Sequence, residues 1–143
     1  MRNWTSMYQS VPDNQDDHAT FVVGRNKCGQ LGIGHNTNVS KLILWNEYNK
    51  NVKIKAINNG YRFTIITTED GKYFSCGPNI SGECGIDTVD EIIQKPMEIN
   101  YFKRMNIKIK KISTNPFAKN ILWLTTNNEI YFNGSNYNSG RMS

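Results

Sequence analysis

One glycine-rich stretch has the composition of a ligand-binding loop: Gly24-Arg25-Asn26-Lys27-Cys28-Gly29-Gln30-Leu31-Gly32-Ile33-Gly34. Gly24 and Gly29 have the spacing that opens a phosphate-binding loop, in which backbone N–H groups surround the phosphate oxygens. Such a loop continues with Lys and then Ser or Thr, which contact the phosphate and its magnesium ion. Here Gln30 and Leu31 follow Gly29. We therefore interpret the stretch as structural, and we expect no nucleotide cofactor.

The other reactive side chains form no recognisable catalytic or metal-binding set. Cys76 and Cys84 are eight residues apart without a nearby histidine, whereas a structural zinc site needs about four ligands at tight spacings. His18 and His35 stand alone in predicted loops. The candidate acids lie in predicted turns, where solvation accounts for them: Glu69, Asp70, Asp87, Asp90 and Glu91. We expect no metal, no other cofactor and no enzymatic activity.

The glycine stretch recurs along the chain, which is typical of a repeat architecture. A second copy starts at Gly77 and a third at Gly134, so the leading glycines are 53 and 57 residues apart (24 to 77 and 77 to 134). The third copy fits less well, because it needs one extra residue and ends with Ser143 in place of a glycine. The candidate structural turn residues are Gly24, Asn26, Gly29, Leu31, Gly32, Gly77, Asn79, Gly82, Gly85, Gly134, Asn136 and Gly140.

The residue types suggest how each copy turns the chain. Glycine adopts positive φ without steric cost, and an asparagine two positions later can hydrogen-bond to nearby backbone groups. Leu31 and Cys84 are expected to point inward between the glycines. Each copy therefore predicts a tight corner at the end of a strand.

The segments around the corners predict short strands. Ala19–Val23 leads into the first corner, Val52–Ile57 alternates as a half-buried strand does, and Phe63–Thr68 is rich in β-branched residues. Glu69–Lys72 contains Asp-Gly, which predicts a type I′ hairpin turn. Tyr73–Cys76 is the returning strand.

The next cycle repeats these parts. Ile107–Ile112 matches the earlier alternating strand with an offset of 55, Ile121–Thr126 matches the β-branched strand, and Asn127-Asn128 stands at the place of Asp-Gly. Two connecting segments are less regular: Lys41–Trp45 predicts a strand or one helical turn, and the acidic segment Asp87–Gln94 predicts a helical turn. Each cycle thus has the content of one propeller blade.

These residues resemble the RCC1 (regulator of chromosome condensation) repeat, in which a hairpin and a strand precede x-Asn-x-x-Gly-Gln-Leu-Gly-x-Gly. The first copy fits this pattern almost fully. The second copy has Glu83 and Cys84 at the Gln and Leu places. Val23, Cys76 and Asn133 stand where the family usually has Trp.

The resemblance implies an all-β fold of RCC1-like β-propeller blades. We expect a lead-in over residues 1–18 and repeats over residues 19–143, divided into a first glycine turn at 19–34 and cycles at 35–86 and 87–143. Family propellers close with about seven blades, and this chain supplies about two and a half. We therefore expect an incomplete propeller, a fragment of a longer one, that needs further blades or self-association.

The formal net charge is +5, and much of the excess lies in one run. Five basic residues and no acidic residue occur between positions 103 and 111: Lys103, Arg104, Lys108, Lys110 and Lys111. The run predicts either a patch for phosphate, nucleic acid or an acidic partner, or the solvated face of a strand whose isoleucines point inward. We favour the solvated face.

The resemblance implies a non-catalytic protein-interaction module as the function. Two alternatives stay open: a guanine-nucleotide exchange factor for a small Ran-type GTPase, and chromatin or nucleic-acid binding through residues 103–111. We expect a protein partner, with a small GTPase as one candidate and nucleic acid as the less favoured partner. No apolar run approaches the roughly 20 residues of a membrane span, and no signal-peptide pattern is present, so the expected location is intracellular, cytoplasmic or nuclear.

Overall fold

The computed structural model describes residues 5–10, 19–80, 82–114, 117 and 119–134, with the backbone alone described for residues 5–10. Short strands dominate this part of the chain. The strands are β1 (Thr5–Ser10), β2 (Ala19–Gly24), β3 (Val39–Leu44), β4 (Ile54–Asn59), β5 (Thr64–Thr68), β6 (Tyr73–Pro78), β7 (Ile92–Glu98), β8 (Ile109–Ser113), β9 (Asn120–Thr125) and β10 (Ile130–Gly134). One α-helical turn, α1, spans Tyr101–Arg104, and a 3₁₀ turn spans Trp45–Glu47. The predicted all-β fold is confirmed.

The described strands form three antiparallel sheets. The first has the order β1-β2-β3, the second β4-β5-β6-β7 and the third β10-β9-β8. The repeat is visible strand by strand, because β4 begins at Ile54 and β8 at Ile109, which is the predicted offset of 55. Irregularities recur too, since the pairing shifts between Val22 and Gly24 in the first sheet and between Ser75 and Gly77 in the second.

Apolar side chains fill the gaps between neighbouring sheets. A first cluster lies between the first and second sheets and consists of Val22, Leu31, Ile33, Trp45, Ile54 and Ile66, with half-buried neighbours such as Phe74. A second cluster lies between the second and third sheets and consists of Phe63, Ile65, Ile99, Phe102, Ile121 and Trp123. Successive residues of β5 point into different clusters, because side chains alternate along a strand. The second sheet is therefore buried on both faces.

The hairpin between β5 and β6 is present, but the predicted type I′ turn is wrong. Such a turn needs positive φ at two successive residues, and Gly71 has a φ of 82° whereas Asp70 is not in the positive region. The Gly71 N–H donates to Thr68 O at 3.0 Å, and the Thr68 N–H donates to Lys72 O at 2.9 Å. This is a type I turn closed by one left-handed residue.

Two connections differ from or refine the prediction. The helical turn predicted at Asp87–Gln94 is wrong: residues 87–91 are irregular and β7 already begins at Ile92. Tertiary packing explains the difference, since Ile93 is buried with Cys76 and Cys84 in a third cluster. The segment predicted as a strand or a helical turn at Lys41–Trp45 is both, because β3 ends at Leu44 and the 3₁₀ turn follows.

The two ends of the predicted repeat region are described only in part. Within the predicted lead-in, β1 pairs with β2 from Thr5 opposite Gly24 to Ser10 opposite Ala19. At the other end, Gly134 is the last residue of β10, and Asn136 and Gly140 of the predicted third corner lie outside the described residues. No helix in the described part of the chain has the length and hydrophobicity needed to cross a membrane.

Candidate interaction surface

Each described glycine corner is held by one buried asparagine. Asn26 accepts the Leu31 N–H on Oδ1 at 3.0 Å and donates from Nδ2 to His35 O at 2.8 Å. Asn79 does the same in the second corner, accepting the Cys84 N–H at 3.2 Å and donating to Ile86 O at 3.1 Å. Both asparagines are almost fully buried. Their amides replace water as the partner of backbone groups that the corner leaves unpaired.

The first corner packs directly against the second sheet. Gly29 has a φ of 73°, and a Cβ added there would lie 2.9 Å from both Gln94 Cα and Ile93 O of β7. A side chain would therefore collide with backbone as well as strain the chain. The other predicted turn glycines that the structure describes with positive φ are Gly24, Gly32, Gly77, Gly82 and Gly85.

A backbone carbonyl of each corner is bonded to the next sheet. Gln30 O accepts the Thr64 hydroxyl at 2.8 Å and the Cys76 thiol at 3.3 Å. The equivalent carbonyl, Glu83 O, accepts Asn133 Nδ2 at 2.7 Å. These bonds join one sheet to the next, so the corners serve as structural joints.

The joint uses residues that the sequence did not mark as functional. Asn133 also accepts the Trp123 indole N–H at 2.6 Å and is fully buried. Cys76 and Asn133 occupy the same position of successive repeats, and this equivalence is the sequence signal that could have identified them as joint residues. Two different side chains thus make the same contact from the position where the repeat pattern has tryptophan.

The buried thiols are held in their neutral form. Burial raises the pKa of the Cys76 thiol well above its usual range and that of Cys84 to about 12. The Cys84 thiol contacts Pro78 O at 3.3 Å. The described residues include no group of three or more His, Cys, Asp and Glu side chains that could hold a metal ion.

The basic run lies partly on α1 and partly on β8. Its five cations are exposed: Lys103, Arg104, Lys108, Lys110 and Lys111. Ile107 and Ile109 point the other way and pack against the second cluster. The alternation favoured by the sequence is thus present around β8, whereas the first two cations belong to the helical turn.

Two of these lysines have direct counterparts one repeat earlier. Lys53 corresponds to Lys108 and Lys55 to Lys110, both with the offset of 55 that relates β4 to β8, and all four side chains are exposed. The Glu69 N–H donates to Lys53 O at 2.9 Å, and the Thr126 N–H donates to Lys108 O at the same distance. We call Lys53, Lys55, Lys108 and Lys110 the lysine strip. It follows the equivalent edge strands of two neighbouring sheets.

The chain is similar to several known proteins, although the similarity covers only a small part of each relative. No protein-family model matches the chain. Over 66 residues it is 39% identical to the mouse secretion-regulating guanine nucleotide exchange factor, covering 46% of this chain and 14% of that protein. Over 129 residues it is 30% identical to the dog X-linked retinitis pigmentosa GTPase regulator, covering 85% of this chain and 12% of that protein.

An RCC1 repeat-containing protein of Dictyostelium discoideum is 31% identical over 93 residues, which cover 60% of this chain and 18% of that protein. Among solved structures, yeast RCC1 (Prp20), bound to Kap60, superposes with a TM-score of 0.64 at 21% identity over 81% of this chain and 25% of that one. The chain is built from RCC1 repeats. Its three sheets are therefore blades of an RCC1-type β-propeller.

Human WBSCR16 shares the fold as well, with a TM-score of 0.67 at 15% identity over 87% of this chain and 34% of that one. The chain spans 12–18% of the length of the three relatives from mouse, dog and Dictyostelium discoideum named above. The likeness to the solved propellers concerns the fold of the blades.

A cavity of about 450 Å³ opens beside the lysine strip in the second RCC1 blade. The residues that line it include two basic and two acidic side chains. They are Asn51, Val52, Lys53, Thr68, Glu69, Asp70, Lys72 and Phe74. The Thr68 hydroxyl donates to the Asp70 carboxylate, which lowers the pKa of Asp70, with Lys72 3.7 Å away as a second cause. Lys53, one residue of the lysine strip, therefore lines a cavity that also contains the ion pair between Asp70 and Lys72.

Proposed function

We propose that the chain is a non-catalytic protein-interaction module that binds an acidic protein segment through the lysine strip. The observation that carries this proposal is the recurrence of exposed lysines at equivalent positions immediately before and within β4 and β8. The fold needs inward-facing residues at the neighbouring positions, such as Ile54 and Ile109. The packing of the fold does not require lysine at the exposed positions between them. Repeated cations on one surface favour partners with negative charge.

The packing of the aromatic rings favours protein over nucleic acid as the partner. Single-stranded nucleic acids are bound by cationic grooves that also offer aromatic rings for base stacking. Phe117, in the connection between β8 and β9, is 88% exposed. Tyr73, Phe102 and Trp123, by contrast, are engaged in the second cluster, where Trp123 packs edge-on against Tyr73 at 5.4 Å and in a tilted orientation against Phe102 at 4.9 Å. Stacking on them is therefore blocked by the neighbouring blade.

The test is a titration of the chain with a fluorescein-labelled Glu/Ser peptide and, separately, with a labelled DNA duplex. In the double variant Lys108→Glu, Lys110→Glu the affinity for the peptide should fall at least tenfold at low salt. The matched control is Lys27→Glu, Lys41→Glu, which has the same charge change at exposed positions of the first blade. Equal losses of peptide affinity in both variants would contradict binding through the lysine strip. Tighter binding of DNA than of peptide would favour nucleic acid as the partner instead.

A second candidate function is guanine-nucleotide exchange on a small GTPase of the Ran type. It is supported by the names of two relatives, one a guanine nucleotide exchange factor and the other a GTPase regulator. A solved relative, yeast Prp20p, is characterised by its binding to Gsp1p and histones. Exchange needs no bond-making residue, because the factor acts by displacing its partner's phosphate and magnesium contacts. Measurement of nucleotide release separates this candidate from simple binding. Either partner would meet the chain inside the cell, in the cytoplasm or the nucleus.

A further inference from the structure

The third blade has an apolar face that no described residue covers. Along β9, Ile121 and Trp123 are buried against the second blade, whereas Leu122 is 47% exposed. Leu122 pairs with Phe132 and Leu124 with Ile130, so these four side chains share the opposite face. Ile130 is 67% exposed. We call this surface the head face.

The repeat shows what such a face packs against elsewhere in the molecule. Leu122 corresponds to Ile65 of β5, with the same offset of 57 that relates Thr68 to Thr125. Ile65 is completely buried in the second cluster, because the third blade covers it. The head face is thus a blade surface of the kind that the next blade covers inside this chain.

The first blade has the complementary surface on its other side. Val22 and Ile43 pair across β2 and β3 and pack in the first cluster. The adjacent pair, Phe21 and Leu44, must therefore face away from it, since side chains alternate along a strand. Leu42 is 62% exposed on the same strand. We call Phe21, Leu42 and Leu44 the tail face.

Phe21 also has counterparts whose packing is known. It corresponds to Phe74 of β6 and Tyr131 of β10, which stand at the same place in the second and third blades. Phe74 packs in the first cluster and Tyr131 in the second, each against the blade that precedes it. Phe21 is therefore expected to pack against a preceding blade as well, and among the described residues no blade precedes it.

We propose that a second copy of the chain docks head to tail, with the tail face of one copy on the head face of the other. This contact continues the blade-to-blade packing already present twice within the chain. The residues that define both faces are apolar, and Lys111, which pairs with Leu124, lies at the β8 edge of the head face. A head-to-tail contact closes into a ring when the rotation permits. Two copies supply six sheets, and known propellers have roughly four to eight blades.

The proposal is tested by sedimentation velocity on the full chain and on charge-insertion variants. The wild-type chain should sediment with twice the mass of one copy. Ile130→Asp on the head face and Phe21→Asp on the tail face should each yield single copies, and Leu42→Asp serves as a second tail variant at a more exposed position. Val89→Asp is the matched control, because Val89 is 97% exposed and lies on neither face. Fluorescence of the buried Trp45 and Trp123 verifies that each variant is folded.

Mixing the variants distinguishes head-to-tail docking from a symmetric contact. A Phe21→Asp chain keeps its head face and an Ile130→Asp chain keeps its tail face, so an equimolar mixture should regain the doubled mass. A folded wild-type chain that stays single at high concentration overturns the proposal. So does a wild-type assembly that persists in either variant, or a mixture that stays single. These outcomes are independent of the lysine strip, which the docking faces do not include.

Discussion

Single buried polar residues decide whether the corners of this molecule can form. Asn26 and Asn79 each satisfy a backbone N–H and a backbone carbonyl that the tight corner would otherwise leave unpaired. Asn133 performs a related task between blades, because its amide links Trp123 to Glu83 O. Leaving such groups unpaired costs more free energy than the net gain of an ordinary hydrogen bond.

Replacing Asn26 tests this role directly. We expect Asn26→Ala to lower the free energy of unfolding by about 2–3 kcal/mol, since two buried backbone groups lose their partner. Asn127→Ala, at an exposed hairpin position, is the control and should change it by no more than about 0.5 kcal/mol. Urea unfolding followed by tryptophan fluorescence measures both. Equal effects of the two substitutions would contradict the role of Asn26.

The buried thiols predict a loss of stability in alkaline solution. Burial raises the pKa of Cys76 and Cys84 above the value of 9.0 expected when unfolded. Above that pH the native state holds more protons than the unfolded state, so stability falls as pH rises. For Cys84 the window extends to about pH 12. The limiting slope is about 1.4 kcal/mol per pH unit for each thiol.

Urea unfolding at several pH values between about 8 and 10 checks the sign of this effect. The wild-type chain should lose stability more steeply than Cys84→Ala, which lacks one of the two thiols but keeps the lysines and tyrosines that also titrate. Parallel curves for the two chains would show that Cys84 does not stay protonated in the native state.

At the scale of elements, the corner and the hairpin show which features of a turn the local sequence determines and which depend on the pairing of the flanking strands. The corner was predictable, because the backbone groups bonded by the Asn26 side-chain amide, His35 O and the Leu31 N–H, lie within nine residues of it in the sequence. The hairpin was predictable but its turn type was not, since Asp-Gly suits either turn and the pairing of Thr67 with Tyr73 leaves room for the longer one. Asn128, with a φ of 64°, makes the same turn in the third blade.

The two kinds of turn differ in their tolerance of a side chain. Gly71 has a φ of 82° and a Cβ added there would meet open space, whereas a Cβ on Gly29 would meet the backbone of β7. We expect Gly71→Ala to lower the free energy of unfolding by about 1 kcal/mol. Gly29→Ala should cost about 2 kcal/mol more, because overpacking adds to the backbone strain.

Thermal or urea unfolding of both glycine variants measures this difference, and Gly71→Asn provides a control with the residue type found at position 128. Gly71→Asn should cost less than Gly71→Ala, since asparagine tolerates the left-handed region better. Equal costs for Gly29→Ala and Gly71→Ala would mean that the first corner does not pack tightly on the second blade.

At the scale of the whole molecule, the repeat fixed the architecture while long-range contacts fixed the joints. The period, the corners and the strand pattern predicted RCC1 blades, and the likeness to known RCC1 proteins confirms them. The bond from Asn133 to Glu83 O spans 50 residues and could not be inferred from local pattern. The same is true of β7, whose start depends on the burial of Ile93 against Cys76 and Cys84.

The lysine strip emerges only when the blades are superposed, because Lys53 and Lys55 lie far from the basic run in sequence. Lysines on an edge strand also discourage edge-to-edge pairing. If the strip served only to protect the edge strands, replacing its lysines by glutamate would weaken binding of an acidic partner no more than replacing other exposed lysines. The comparison of Lys108→Glu, Lys110→Glu with Lys27→Glu, Lys41→Glu therefore separates edge protection from partner binding.

The claim that this chain binds without catalysing is tested most directly by nucleotide release. A Ran-type GTPase loaded with fluorescent GDP is mixed with micromolar chain in the presence of excess unlabelled nucleotide, and the fluorescence decay is followed. A GTPase-plus-EDTA sample gives the fast limit and buffer alone gives the intrinsic rate. We predict that the decay stays at the intrinsic rate at every concentration of chain. A rate that rises with the concentration of chain would contradict this claim and establish the exchange-factor function.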